Sequence, residues 1–192
     1  LVLPQGRWFG TAASSRTVLG GHIRVAPVKI DPVVLGVLGA FELANQGQLA
    51  AAAVFSANPK QAYGISWWNV DEPCILRDGV YAERFRSAFD QPECLSVRVV
   101  TPAMARASRD LQPVLLAAEA AGAGLPEAAY EVRYARCGLD WVVTSTWLVP
   151  TQRMAGDLAA IQWGHALADV LRPLARWPEP QRVSPPALGP TP

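Results

Sequence analysis

The alternation of apolar and polar residues from Cys94 to Val100 is the sequence feature that most constrains the fold. Positions 95, 97 and 99 are Leu or Val, whereas Ser96 and Arg98 lie between them. A period of two residues is typical of a β-strand with one buried face. Such a strand needs hydrogen-bonded neighbours, so the segment predicts a sheet that is packed against other elements.

Helix starts are indicated where a capping side chain precedes a proline, as in Asp31-Pro32 and Thr101-Pro102. Pro113 predicts a kink near Asp110–Gln112 in the helix that starts at Pro102. Four helices are predicted in all: from Pro32 to about Gln46, from Asp78 to about Phe89, from Pro102 onward, and from Pro150-Thr151 to about Leu174.

The remaining β-rich segments predict one further strand and two hairpins. They are His22–Ile30, then Ala50–Ala57 with Gln61–Trp68, and then Tyr130–Arg136 with Trp141–Leu148.

In chain order, these elements form two β-α-β-β-α units, which suggests an internal pseudo-repeat. We therefore predict an α+β fold in which a mainly antiparallel sheet is packed with helices. Residues 1–21 are expected to be an irregular lead-in, and residues 22–176 a single domain with halves 22–92 and 93–176. Residues 177–192 contain six prolines and are predicted to be a disordered tail.

Composition and motifs exclude several functional classes. The net charge is +1 and no basic run is present, which argues against nucleic-acid binding. The longest apolar stretch, Val33–Ala44, is interrupted by Glu42 and is shorter than the roughly 20 residues that cross a bilayer. Because no catalytic, metal-binding or phosphate-binding motif is present, we expect a non-enzymatic protein without cofactor or metal.

The cysteines predict one disulfide. Cys74 and Cys94 flank the predicted second helix, and a bond between them would close a loop of about 20 residues and contribute roughly 3 kcal/mol. Cys137 would then be a free thiol. The alternative to the disulfide is that all three cysteines are reduced. A disulfide together with a chain that begins at Leu1 favours an extracytoplasmic, periplasmic location, with any membrane contact made through an upstream segment.

Tryptophan supplies the candidate binding residues. Trp67 and Trp68 end the first predicted hairpin, and Trp141 and Trp147 bracket the last predicted strand. Indoles are frequent in binding sites, so a tryptophan-lined cleft is one interpretation, with Glu72 nearby to meet a cation. The alternative is ordinary filling of the core.

The last predicted helix is apolar on two sides. Met154, Leu158 and Ile161 share one side with His165, which is more often a core or interface residue than a catalyst at such a place. A helix that is apolar on two sides must be covered on both, by the sheet and by another part of the domain or a second subunit. The interface candidates on the opposite side are Trp163, Leu167, Val170 and Leu174.

Two functional hypotheses follow. The first is a protein-interaction domain, extracytoplasmic and part of a membrane-associated assembly, that binds a protein partner or forms a homodimer. The second is a small-molecule-binding module whose pocket is the tryptophan cleft.

Overall fold

The computed structural model describes residues 3–4, 6–11, 13–18, 33–44, 47–58, 79–86, 93–137, 142–175 and 183–189. This part of the chain contains eight strands and three α-helices. The strands are β1 Trp8–Gly10, β2 Ser14–Val18, β3 Val33–Leu43, β4 Leu49–Ala57, β5 Tyr81–Arg86, β6 Glu93–Val100, β7 Ala129–Cys137 and β8 Val142–Pro150; the helices are α1 Pro102–Ala107, α2 Gln112–Ala120 and α3 Asp157–Leu171.

All eight strands belong to one sheet, in the order β1-β3-β4-β8-β7-β6-β5, and every pair is antiparallel. β2 also pairs with β3, beyond the end of β1, so β1 and β2 together form one interrupted edge. At the other edge, β5 has a register shift between Arg84 and Arg86. The predicted α+β class with a mainly antiparallel sheet is confirmed.

The helices cover both faces of this sheet. Ala53, Trp147, Val132 and Val97 are register partners across four strands and pack with α3 in one apolar cluster. Their chain neighbours Ala52 and Leu148 point the opposite way and belong to a second cluster with α1 and α2. We call the two sides the α3 face and the α2 face.

Several sequence predictions are confirmed. The alternating segment forms β6, and the predicted second hairpin is the β7–β8 pair. Thr101 caps α1 by accepting a hydrogen bond from the Met104 backbone N–H at 3.4 Å. Instead of a kink before Pro113, the chain ends α1 at Ala107 and begins α2 at Gln112.

Two predicted helices are wrong, because strands occupy their positions. β3 replaces the helix of residues 32–46 and β5 replaces that of residues 78–89. β3 is apolar on both faces, which hides its period, and its Val and Gly residues are poor helix formers. The two-unit β-α-β-β-α pseudo-repeat is therefore not confirmed.

Two other local predictions need correction. β4 pairs with β3 on one side and β8 on the other, which leaves it no edge for the predicted hairpin with residues 61–68. The predicted strands 22–30 and 61–68 themselves lie outside the described residues. The last helix begins at Asp157 rather than Pro150, because Gly156 has a φ of 89°, a left-handed conformation that a helix cannot contain.

The C-terminal segment also differs from expectation where it is described. Residues 183–189 belong to the predicted disordered tail, yet Val183 and Leu188 pack against the cluster under α3. The predicted irregular lead-in, residues 1–21, is wrong in part, because it contains the strands β1 and β2. The domain boundaries themselves stay predictions. Among the helices in the described part of the chain, none is both long enough and apolar enough to cross a bilayer.

Cys94 is completely buried on β6 and is assigned to a disulfide. The second cysteine of that bond is not among the described side chains, and Cys74 lies outside the described residues. No complete disulfide is therefore found in the described part of the chain, and the Cys74–Cys94 pairing stays a prediction.

Peptide mapping under non-reducing conditions tests this pairing. We expect a linked peptide that contains Cys74 and Cys94, with Cys137 alkylated as a free thiol, because the predicted loop joins the first two. The same digest after reduction is the control. Either a Cys94–Cys137 peptide or three alkylated cysteines would contradict the prediction.

Gly39 allows α2 to approach the sheet closely. A Cβ at this position would lie well inside contact distance of Val114 Cγ2 and 2.6 Å from Thr11 Oγ1. On the same strand, a Cβ on Gly36 would meet only the Ala57 carbonyl oxygen, at an ordinary 3.6 Å.

We expect Gly39→Ala to lower the free energy of unfolding by about 1–3 kcal/mol through overpacking. Gly36→Ala is the matched control and should be neutral or slightly stabilising, because alanine loses less backbone entropy than glycine. Urea denaturation of both variants measures the difference. Equal effects would show that close packing at Gly39 is unimportant.

Candidate functional site

Three tryptophans form a row on the α3 face. The Trp8 and Trp147 rings meet edge to face at 5.9 Å between centroids, and Trp147 meets Trp163 in the same way at 5.3 Å. Trp147 is fully buried and donates from Nε1 to Ser145 Oγ at 2.7 Å. The row joins the edge strand β1, the central strand β8 and helix α3, so it spans the middle of this face.

Only one member of the predicted tryptophan cleft is described. Trp147 lies in the interior, where it also lines a small pocket. Trp67, Trp68, Trp141 and Glu72 lie outside the described residues. Trp8, which the sequence reasoning did not select, and Trp163, which it placed at an interface, complete the observed row.

The described C-terminal segment covers one end of this row. Trp163 Nε1 lies 3.4 Å from the Pro186 carbonyl oxygen and 3.2 Å from that of Ala187, as a donor shared between them. Pro185 is buried in the same segment. The chain itself therefore covers the Trp163 side of α3, which also packs on the sheet, whereas Leu158 on the other apolar side is 66% exposed.

The four interface candidates of α3 are not equivalent. Trp163 and Leu167 are buried against the chain's own sheet, in the cluster that contains Trp147. Val170 and Leu174 are partly buried, and Leu174 packs against the same cluster. Their role at an interface stays a prediction.

A buried ion pair lies beside the tryptophan row. Arg153 Nη1 donates to Glu42 Oε2 at 2.5 Å, and both side chains are only 4% exposed. The same guanidinium donates to the Ala50 carbonyl at 3.1 Å and, through Nε and Nη2, to the Gly189 carbonyl at 2.9 and 2.7 Å. The sequence signal for this site was Glu42 itself, the one charge within the long apolar stretch.

Part of the α3 face over β3 and β4 is left open. Val34 is 48% exposed and Leu38 is 52% exposed, and both point to this face. Beside them is an apolar pocket of about 100 Å³, lined by Leu3, Leu38, Ala40, Ala53, Val54, Phe55, Ser145 and Trp147. We define the open patch as Leu3, Val34, Gly36, Leu38, Phe55 and Ala57.

A second buried charge cluster lies where α3 ends. Glu93 Oε1 accepts hydrogen bonds from Arg172 Nε at 2.8 Å and from the Tyr134 hydroxyl at 3.1 Å. Arg136 Nη1 lies 3.8 Å from Glu93 Oε2 and donates to the Arg172 carbonyl. Burial and the negative charge of Glu93 raise the pKa of Tyr134. The cluster fixes the end of α3 to the sheet.

One acid–base group lies near the surface, between β5 and α3. The Tyr81 hydroxyl donates to Glu83 and lies 3.1 Å from His165 Nε2, which is 3.7 Å from Glu83 Oε2. Burial and the interaction with Glu83 raise the pKa of Tyr81 to about 12, so this phenol stays protonated and is a poor base. None of the three lines the apolar pocket, and we interpret the group as a tie between edge strand and helix.

The α2 face carries a charge network of its own. Arg98 binds the buried Glu131 through two hydrogen bonds of 3.0 Å, and Arg133 binds Asp110 at 2.9 Å. These pairs join β6, β7 and the turn before α2. Within the described ranges, no group of three His, Cys, Asp or Glu side chains is arranged to hold a metal ion.

Comparison with known protein families, with curated proteins and with solved structures finds no match to this chain. The site must therefore be interpreted from its own geometry.

Tyrosine ionisation gives a pH test of the α3 face. Burial and the hydrogen bond to Asp157 raise the pKa of Tyr130 to about 12, the same value as for Tyr81. In the unfolded chain both phenols ionise near pH 10. Their contribution to stability is thus present below pH 10 and lost as the pH rises from about 10 to about 12.

We expect the free energy of unfolding to fall through this interval, as measured by urea denaturation at each pH. Asp157→Asn should lower the pKa of Tyr130 in a tyrosinate absorbance titration, because it removes a negative charge. Asp110→Asn, next to Arg133, is the control and should leave this titration unchanged. A Tyr130 that titrates near 10 in the folded chain would contradict the assignment.

Proposed function

We propose that this chain is a non-enzymatic protein-interaction domain that self-associates through the open patch. The observation that carries the proposal is the half exposure of Val34 and Leu38 beside an apolar pocket, on the sheet face whose centre is covered by α3. Contiguous exposed apolar surface is typical of a contact site.

The chemistry of the patch favours a second copy of the same chain. Its six residues are Leu, Val, Phe, Ala or Gly, so it presents no charge that a partner would have to match. Two uncharged sheet faces can pack on each other about a twofold axis, the commonest symmetry of oligomers. Burying one Leu, Val or Phe side chain contributes about 1.5–3 kcal/mol, and association has entropic costs, so we expect a moderate affinity.

We also propose an extracytoplasmic location, within a membrane-associated assembly. The support is the predicted disulfide, because such bonds persist in oxidising compartments.

Size-exclusion chromatography with light scattering tests self-association. We expect the mass to rise with concentration toward twice 20.6 kDa. Leu38→Glu should give a monomer at all concentrations, because dimerisation would bury an unpaired charge. Leu116→Glu is the matched control, since Leu116 is 59% exposed on α2, at the opposite face. A wild-type monomer at high concentration, or equal effects of the two variants, would overturn the proposal.

The small-molecule alternative has one observation in its favour. Trp147 and Phe55 line the pocket, and its volume of about 100 Å³ suits a small apolar group. Ligand sites are usually about 300–1,000 Å³, so we place this function second. A shift of tryptophan emission with a small aromatic ligand, unaffected by protein concentration and lost in Leu38→Glu, would favour it.

A further inference from the structure

We propose that the surface between Trp163 and Arg153 is a recognition site for proline-rich segments and that residues 183–189 are its resident ligand. We call this surface the tail groove. The inference does not depend on self-association through the open patch, since it uses other side chains of the same face.

The bound segment has the periodicity of a polyproline II helix. Pro185 is buried and Leu188 packs on the core, whereas Ser184 and Ala187 are exposed. Inward and outward positions thus recur every three residues, as in a helix with three residues per turn. No strand or helix is assigned to this segment.

The groove binds the segment through its main-chain carbonyls. Trp163 donates to Pro186 and Ala187, and Arg153 donates twice to Gly189. A polyproline II helix makes no internal hydrogen bonds, so its carbonyls are available to such donors. An aromatic-lined groove with apolar contacts and donors to carbonyls is a general mode of recognising proline-rich peptides.

One position adds sequence specificity. A Cβ on Gly189 would overlap the Arg153 carbonyl oxygen and lie 3.2 Å from its carbon. Because this neighbour is backbone, it cannot turn aside, and glycine is required. The groove therefore selects the pattern Pro-x-x-Leu-Gly, here residues 185–189.

The partner that fits is an extended Pro-x-x-Leu-Gly segment of another protein, which displaces the tail. A tethered ligand has an effective concentration in the millimolar range, so a free segment competes poorly while the tail is bound. Substitutions that weaken the binding of the chain's own tail should therefore allow a free segment to bind measurably.

The experiment uses the full chain with the tail changes Leu188→Ser and Gly189→Ala. The probe is a fluorescent peptide with the sequence of residues 181–192, followed by anisotropy. We expect it to bind the double variant at least tenfold more tightly than the wild type, because the resident segment is weakened. A peptide carrying Gly189→Ala should not bind. Adding Trp163→Phe to the double variant should weaken binding roughly fivefold, through loss of one hydrogen bond.

Near-ultraviolet circular dichroism checks that the double variant is folded; if it is not, Gly189→Ala alone takes its place. No binding to a folded tail variant, or equal binding of the Gly189→Ala peptide, would overturn the inference. Dimers of the wild type that disappear in the tail variant but persist in Leu38→Glu would also overturn the choice of partner, because they would show exchange of tails between copies.

Discussion

The guanidinium of Arg153 is the group on which most of the α3 face depends. Its hydrogen bonds join Glu42 on β3, Ala50 on β4 and Gly189 at the described C-terminal end. Glu42 and Ala50 are each more than 100 residues from Arg153 in the sequence, and Gly189 is 36 residues away. A buried charge is tolerable only when paired and hydrogen-bonded, so the three segments must be in place together.

The tryptophan row depends on the same joining of β3, β4 and the C-terminal segment at Arg153. Trp8 lies on β1, which pairs with β3 beside Glu42, and Trp163 lies under the docked segment. A Cβ on Gly6 would clash with Glu42 and lie 3.1 Å from Trp8 Nε1, which shows how tightly the lead-in is packed there. The Trp8 indole nitrogen is buried and has no hydrogen-bond partner among the described residues. The site thus combines close apolar packing with one unmatched donor.

The elements that could be predicted from sequence are those whose signals are local. β6 alternates, and Thr101 caps α1 three residues from the amide that it binds. β3 could not be recognised, because apolar residues on both of its faces, including the half-exposed Val34 and Leu38, remove the alternation on which strand prediction relies. Trp147 was selected from composition, whereas Arg153 was missed because its partner Glu42 is 111 residues away. No local pattern encodes such a contact.

The two edges of the sheet restrict how copies of this protein can meet. One edge is divided between β1 and β2, with Thr11 bound to the Gly39 carbonyl between them, and the other has the irregularity in β5. A neighbouring chain extends a sheet only where it finds a straight row of unpaired amides and carbonyls. Among the described strands, neither edge offers such a row over its full length, so growth into a continuous ribbon is disfavoured and the proposed contact between copies would be made face to face.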